Sequence, residues 1–156
     1  MRSEKFERER VAGGALHGTF GNPATSAPQV RGLNYNVANT NIIWRGGRLL
    51  ALEDFNRPFE LDPHTLAARG SYTDGGRISG PLTAHPKIDA ETGALHAFGY
   101  GLDDFGSRRM AYHHIAADGE LMRTVEFDAP YAALVHDFIV TARHPHVSNF
   151  SAHHLR

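Results

Sequence analysis

The sequence predicts an all-β fold, a partial (open) β-propeller, from three observations. Short runs typical of strands recur across the middle of the chain. Gly, Asp and Pro turn residues separate these runs at regular intervals, which is typical of sandwiches, barrels and propellers. A loose repeat favours the propeller, because three runs each end on an apolar residue and continue into an acidic turn, at 61–66, 88–93 and 115–120.

A short helix and an irregular loop are predicted before the first strand. Residues 1–16 mix charged residues with spaced apolar ones, and either Gly13-Gly14 or Gly18 provides a natural end for a helix. The loop at 21–32 contains two X-Pro pairs typical of turns. We therefore assign residues 1–35 to an N-terminal helix and loop.

Residues 36–141 carry the strand pattern, with two hairpins as its clearest signals. Gly46-Gly47 and Asp118-Gly119 can both form tight hairpin turns, since glycine adopts positive φ readily. A propeller blade takes about 40–50 residues, so this segment corresponds to two to three blades. The predicted strands are 41–44, 48–52, 59–61, 81–88, 94–100, 110–116, 121–127 and 133–141.

The last segment, 142–156, departs from the strand pattern and is predicted to be an irregular tail. It is polar and holds four of the eleven histidines, for which we expect at most adventitious metal binding. A frameshift or truncation just after Thr141 is the expected origin of this change.

Composition limits the possible functions. A net charge of −1 over 156 residues gives no electrostatic footprint for nucleic acid or an anionic membrane. The lack of cysteine excludes disulfides and thiolate chemistry, so any metal must be held by histidine or carboxylate. No apolar run approaches the roughly 20 residues that span a bilayer, and a cytoplasmic location is expected.

Two histidines stand out as candidate functional residues, His85 in segment 83–89 and His136 in segment 135–138. A histidine in a strand is more often a packed residue than a ligand, so neither segment alone establishes a metal site. On the strand predicted for His136, the period of two places apolar residues on the same face, namely Leu134, Phe138 and Val140.

Most other histidines have structural interpretations. His64 is predicted in a turn, and His96 is predicted to point outward from its strand. The adjacent His113 and His114 must point to opposite faces of theirs.

Several motifs together resemble the carotenoid cleavage oxygenase family, over roughly residues 3–141. The segment 129–131 ahead of His136 is most similar to the bacterial lignostilbene dioxygenase-like branch, which includes apocarotenoid dioxygenases. The motifs are 38–41, 44–52, 60–63, 83–87, 98–100 and 135–138.

The resemblance implies a seven-bladed β-propeller with one non-haem Fe(II) on its axis, held by four histidines. It also implies a dioxygenase that uses O₂ to cleave a carbon–carbon double bond of a carotenoid, an apocarotenoid or a stilbene. Residue by residue, the first two iron ligands fall on His85 and His136. Neutral imidazole suits Fe(II), and ligands this far apart in sequence can meet only if their strands converge.

The other two histidines of the family, and the glutamates that orient several ligands, belong to blades that this sequence lacks. We therefore expect a fragment of the parent enzyme that is inactive alone. No catalytic residue beyond the metal ligands is predicted, and the substrate-binding residues stay open.

A non-catalytic alternative stays open, in which the chain is a truncated propeller that is inert or serves as an interaction module. Open blades expose strand edges and apolar faces, so self-association is expected.

Overall fold

One α-helix and ten strands form the described part of this chain, and the strands pair antiparallel. The structure is a computed structural model that describes residues 2–19, 22–78, 80–104, 106–132, 134–141 and 145–147. The helix is α1 (Glu4–Ala12). The strands are β1 (Asn41–Arg45), β2 (Arg48–Leu52), β3 (Phe59–Leu61), β4 (Ala68–Ser71), β5 (Lys87–Ile88), β6 (Leu95–Tyr100), β7 (Arg109–Ile115), β8 (Leu121–Asp128), β9 (Phe138–Val140) and β10 (Pro145–Val147).

The N-terminal helix is confirmed, and local sequence explains both of its ends. The Ser3 hydroxyl accepts a hydrogen bond from the Phe6 amide at 3.2 Å, as a helix N-cap does. At the other end Gly13 adopts a left-handed conformation with φ of 71°, which ends the helix at the first of the two predicted positions. The following loop contains two short 3₁₀ turns, Pro23–Thr25 and Pro28–Val30.

The first sheet joins β1, β2, β3 and β4 in chain order. Its first hairpin turns at Gly46 and Gly47, whose φ angles of 53° and 72° confirm the predicted tight turn. Strand β4 was not predicted, because its sequence Ala-Arg-Gly-Ser lacks strand-forming residues. Its Arg69 forms ion pairs with Glu60 at 3.2 Å and Asp62 at 2.7 Å, which help to hold it against β3.

The second sheet joins β5, β6, β7 and β8, again in chain order, and confirms the hairpin at Asp118-Gly119. It packs against the first sheet through buried aliphatic side chains. Ile43 of β1 packs against two clusters, one with Leu82, Leu95 and Ile115 and one with Leu50 and Leu52.

The predicted turn repeat has a precise structural basis. Asp62 Oδ1 accepts hydrogen bonds from the amides of His64 and Thr65 and from the Thr65 hydroxyl. Asp89 Oδ1 accepts the same three bonds, from the amides of Glu91 and Thr92 and from the Thr92 hydroxyl. The backbone amide of the threonine, followed by other donors, lowers the pKa of each aspartate. Two of the three predicted repeats therefore form the same aspartate turn between strands. In the third, Asp118 Oδ1 accepts the amide hydrogen of Glu120 at 3.0 Å.

Two predicted strands are much shorter in the structure, and this changes the setting of both candidate histidines. Of residues 81–88, only β5 and an isolated bridge from Leu82 to Glu53 pair with other strands. Pro81 and Pro86 lack the amide hydrogen that a continuous ladder needs. Of the described residues 134–141, only β9 pairs. The prediction that both histidines lie within strands is therefore wrong.

The prediction that His136 shares one strand face with Leu134 and Phe138 is also wrong. Val135 is buried at 1% exposure, whereas Leu134 is 58% exposed and His136 is exposed. Because residues 134–137 are not paired as a strand, the period of two is interrupted at Asp137, which is exposed like His136. The imidazole of His136 therefore does not share the buried face of Phe138.

Part of the predicted irregular tail is regular. Strand β10 pairs with β9, with His146 opposite Ile139, so the prediction is wrong for these three residues. Residues 142–144 and 148–156 lie outside the described part. Among the described residues, no helix has the length and apolar character needed to cross a membrane.

Candidate metal centre

Three side chains from distant parts of the sequence meet at one point. Asp54 follows β2, His85 precedes β5 and His136 precedes β9. The two imidazole rings lie 4.5 Å apart between centroids and are inclined at 67°. One potential ligand atom from each of the three side chains lies within 4.8 Å of the other two.

Hydrogen bonds outside any strand ladder hold the loop that carries His85. The Thr83 amide donates to the Phe98 carbonyl at 2.6 Å. The Ala84 amide donates to Asp54 Oδ1 at 2.9 Å, and the His85 amide donates to the Thr83 hydroxyl at 3.1 Å. Thr83 and Ala84 are both fully buried, so packing in the protein interior fixes the backbone before His85.

Buried neighbours fix the backbone on both sides of His136. Val135 and Phe138 belong to a core cluster that includes Phe98, and the Phe98 and Phe138 rings lie 5.0 Å apart. The ring of His136 reaches away from this cluster, and its Nδ1 lies 2.8 Å from Asp54 Oδ2.

An ion pair joins the two segments that carry the histidines. Lys87 Nζ lies 2.7 Å from Asp137 Oδ1. Burial acts to raise the pKa of Asp137, but the hydrogen bonds from Lys87 and from the Phe138 amide outweigh it and lower the pKa. The ion pair therefore holds Asp137, the residue after His136, close to β5, the strand that follows His85.

A second carboxyl group lies beside the site but outside the cluster. Glu53 is buried at 6% exposure, and burial raises its pKa to about 7, against the opposing effect of a hydrogen bond from the Val37 amide. The Asn56 side-chain amide also donates to a Glu53 carboxylate oxygen.

The three side chains fit a divalent transition metal. His85 Nε2 is buried and has no hydrogen-bond partner among the described residues, so its bonding capacity is unused. Imidazole nitrogens suit non-haem Fe(II), and the negative charge of a nearby carboxylate favours a cation there. The sequence predicted two of these residues and missed Asp54, because no spacing connects an acidic residue after β2 with histidines so far away.

The other histidines that were singled out lie elsewhere. His64 is in an exposed turn, as predicted, and His96 is half-buried, with Nδ1 2.5 Å from the Tyr112 hydroxyl. His113 is buried whereas His114 is partly exposed and stacks on His96, which confirms that the two neighbours face opposite sides.

Comparison with known proteins defines the class to which this fold and site belong. The profile described as retinal pigment epithelial membrane protein matches residues 1–145. Isoeugenol monooxygenase from Pseudomonas nitroreducens is 39% identical over 90% of this chain, and resveratrol cleavage oxygenase 1 from Aspergillus fumigatus is 39% identical over 90%. These alignments cover 30% and 28% of the two relatives.

Solved structures agree with the sequence relatives. The crystal structure of Pseudomonas brassicacearum lignostilbene dioxygenase is 37% identical and matches 92% of this chain and 30% of that protein, with a TM-score of 0.85. An apocarotenoid oxygenase variant from Synechocystis, 29% identical, matches 90% of this chain and 32% of that protein, with a TM-score of 0.73. The chain belongs to the retinal pigment epithelial membrane protein family, that of the carotenoid cleavage oxygenases. It spans about 30% of the length of these relatives.

The fold agrees with this assignment. Two antiparallel four-stranded sheets and one helix match a fragment of the propeller-like fold of the family.

Proposed function

We propose that this chain is part of a non-haem Fe(II)-dependent dioxygenase that cleaves a carbon–carbon double bond with O₂. His85 and His136 would be two of the four histidines that hold the iron. The observation that carries the proposal is the meeting of these two imidazoles, 4.5 Å apart between centroids, with the buried Nε2 of His85 left without a partner among the described residues.

The bound iron would supply the O₂ chemistry, which amino-acid side chains cannot perform. The chain's own residues would hold the two histidines in place and orient their rings. The Thr83–Phe98 hydrogen bond fixes the loop of His85, and the buried Val135 and Phe138 fix the backbone around His136. The Lys87–Asp137 ion pair supports the convergence of the two segments.

The proposed substrate is a carotenoid, an apocarotenoid or a stilbene. Relatives that are 39% identical are named for isoeugenol and resveratrol, both of which are aryl alkenes. A relative named as an epoxycarotenoid dioxygenase, from Arabidopsis thaliana, is 31% identical over 67% of this chain. A relative named carotenoid cleavage oxygenase 1, from Neurospora crassa, is 37% identical over 90% of this chain, so both substrate classes stay in the proposal.

We further propose that each four-stranded sheet is one blade of a seven-bladed parent and that the β9–β10 pair belongs to a third. Under this proposal the 156-residue polypeptide supplies only two of four iron ligands, so it has no turnover alone. The test is incubation with Fe(II), O₂ and resveratrol, with chromatography of the aldehyde products. Product formation above a His85→Ala/His136→Ala double variant would refute the proposed inactivity.

Metal binding tests the site independently of turnover. Anaerobic titration with Fe(II) should reveal one weak site per chain that is lost in His85→Ala and in His136→Ala. His64→Ala is the matched control, because His64 lies in an exposed turn outside the cluster. Equal binding by all four proteins would contradict the assignment of the two ligands.

Exposed apolar side chains favour a second proposal, self-association of an inert or interacting fragment. On β1, Ile42 and Trp44 are 61% and 59% exposed and lie on the same face of the strand. In water such a face favours contact with another surface. Concentration-dependent association without metal binding would support this proposal over the first.

A further inference from the structure

A cavity between the two four-stranded sheets combines buried apolar residues with a polar mouth. Its volume is about 160 Å³, and its lining includes no member of the metal cluster of Asp54, His85 and His136. A dry cavity of about 150 Å³ can bind benzene, so this cavity has room for one aromatic ring. Its buried aliphatic lining consists of Leu50, Ile78, Leu82, Leu95 and Ile115.

The wall of this cavity carries a hydrogen-bond donor that is not used. Arg45, the last residue of β1, lines the cavity, and its Nη2 donates to the carbonyl oxygens of Gly93 at 2.5 Å and Ile115 at 3.2 Å. Its Nε is buried and has no hydrogen-bond partner among the described residues. Buried donors are rarely left unpaired, so an acceptor oxygen at this point would complete the bonding of Arg45.

Contacts between the two sheets fix the donor before any ligand binds. The hairpin turn that follows Arg45 touches the turn between β7 and β8, because a Cβ built at Gly119 would lie 2.7 Å from the Cα of Gly46. The two bonds from Arg45 Nη2 also join β1 to backbone oxygens on the side of the second sheet. A ligand therefore meets a donor that is already oriented, which lowers the entropy lost on binding.

The charges around the mouth favour a neutral ligand. Two arginines and two aspartates line the cavity, so their formal charges cancel. Arg48 pairs with Glu60 at 3.1 Å, and Asp74 also forms an ion pair. Burial lowers the pKa of Arg45, and the charge of Asp118 acts in the opposite direction. Because Asp118 already compensates Arg45, the unused Nε–H calls for an acceptor and not for a further negative charge.

We propose that this cavity binds a small aryl carbonyl compound, whose ring lies against the buried aliphatic residues and whose carbonyl oxygen accepts the Nε hydrogen of Arg45. The ligand would contact both sheets and would therefore stabilise the folded chain by mass action. Aldehydes formed from an aryl alkene by the proposed function belong to this class of compound. The binding site itself does not depend on that function.

Three probes of the same size test the inference on the unmodified, metal-free chain by ¹H–¹⁵N NMR titration. Acetophenone should bind saturably and shift the amide signals of Arg45 and Ile115. Isopropylbenzene, which lacks an acceptor, should bind about tenfold more weakly, as expected for one hydrogen bond to a charged donor. Benzoate, which adds a negative charge, should bind no more tightly than acetophenone. Absence of acetophenone binding, equal binding of isopropylbenzene, or tighter binding of benzoate would each overturn the inference.

Arg45→Met tests the donor directly, because it removes the guanidinium and keeps an apolar stem. It should weaken acetophenone binding about tenfold and leave the binding of isopropylbenzene unchanged. Arg48→Met is the matched control, since Arg48 also lines the cavity but is paired with Glu60 and lies over the ring of Tyr72. Equal weakening in the two variants would overturn the role of Arg45. If Arg45→Met does not fold, the comparison of the three probes on the unmodified chain decides.

The double variant His85→Ala/His136→Ala separates this inference from the proposed function. Acetophenone should bind to it as to the wild type, because neither histidine lines the cavity. Loss of binding would place the ligand at the metal centre and overturn the inference. A wild-type chain that binds acetophenone in the cavity but takes up no Fe(II) would leave the inference standing while the proposed iron site fails.

Discussion

Acid should destabilise this chain through the buried side chain of His113. The imidazole lies in β7 at 2% exposure, with Nδ1 3.0 Å from the Thr124 hydroxyl. Its Nε2 is buried and has no hydrogen-bond partner among the described residues. Burial lowers the pKa of His113 from 6.5 to about 4, since a buried ring resists taking up charge.

The lowered pKa of His113 determines the sign and the size of the change in stability with pH. The unfolded chain takes up the proton first as the pH falls, so protonation favours unfolding. The stability contributed by neutral His113 is complete above pH 6.5 and is lost as the pH falls from 6.5 to about 4. At about 1.36 kcal/mol per pKa unit, this interval corresponds to about 3 kcal/mol of unfolding free energy.

Urea unfolding of the wild type and of His113→Asn, at about pH 7 and about pH 4, measures this quantity. The asparagine amide can take the place of Nδ1 beside Thr124 and does not titrate. The variant loses packing at both pH values, but its stability relative to the wild type should improve by about 3 kcal/mol at the lower pH. His64→Asn, in an exposed turn, should show no such change. A difference between wild type and His113→Asn that is independent of pH would refute the reasoning.

Three further predictions concern other parts of the fold. Gly46→Ala should destabilise the chain more than Gly47→Ala. Both positions have positive φ, which alone costs about 1–2 kcal/mol, but a Cβ at Gly46 would also lie 2.4 Å from a backbone oxygen of the facing turn. Equal losses of stability in thermal unfolding would contradict the clash. Glu53→Gln should stabilise the chain above pH 7 by up to about 3 kcal/mol. Burial raises the pKa of Glu53 to about 7, so the stability contributed by the protonated carboxyl group is lost as the pH rises from 4.5 to about 7. A gain that does not depend on pH would show that ionisation is not the cause. Trp44→Glu should reduce self-association, measured by sedimentation velocity. Val11→Glu, at a residue of α1 that is 77% exposed, is the control and should leave self-association unchanged. Unchanged association in both variants would exclude the exposed face of β1 as the contact surface.

Elements specified by their own residues were predictable from the sequence. The end of α1 at Gly13 and the hairpin at Gly46-Gly47 depend on glycines with positive φ. The acidic turns depend on an aspartate that accepts bonds from residues two and three positions later. These interactions are local, so a few adjacent residues determine the conformation.

Elements specified by partners elsewhere in the chain were not predictable in the same way. Strand β4 has little intrinsic strand preference and forms by pairing with β3 and through the ion pairs of Arg69. The segment of His136 has the pattern of an alternating strand, yet without a neighbouring strand at 134–137 the alternation between core and solvent is interrupted at Asp137. His136 and Asp137 are both exposed, between the buried Val135 and Phe138.

The sequence by itself determined the β class of this protein, its hairpins, its family and the two histidines of interest. Only the tertiary structure decided that the two imidazoles meet and that Asp54 lies between their segments. The physical reason is that the site is built from three loops, each fixed by buried contacts or hydrogen bonds to distant residues. Short-range sequence patterns describe the conformation of each segment, whereas the distance between segments depends on how the two sheets and β9 pack together.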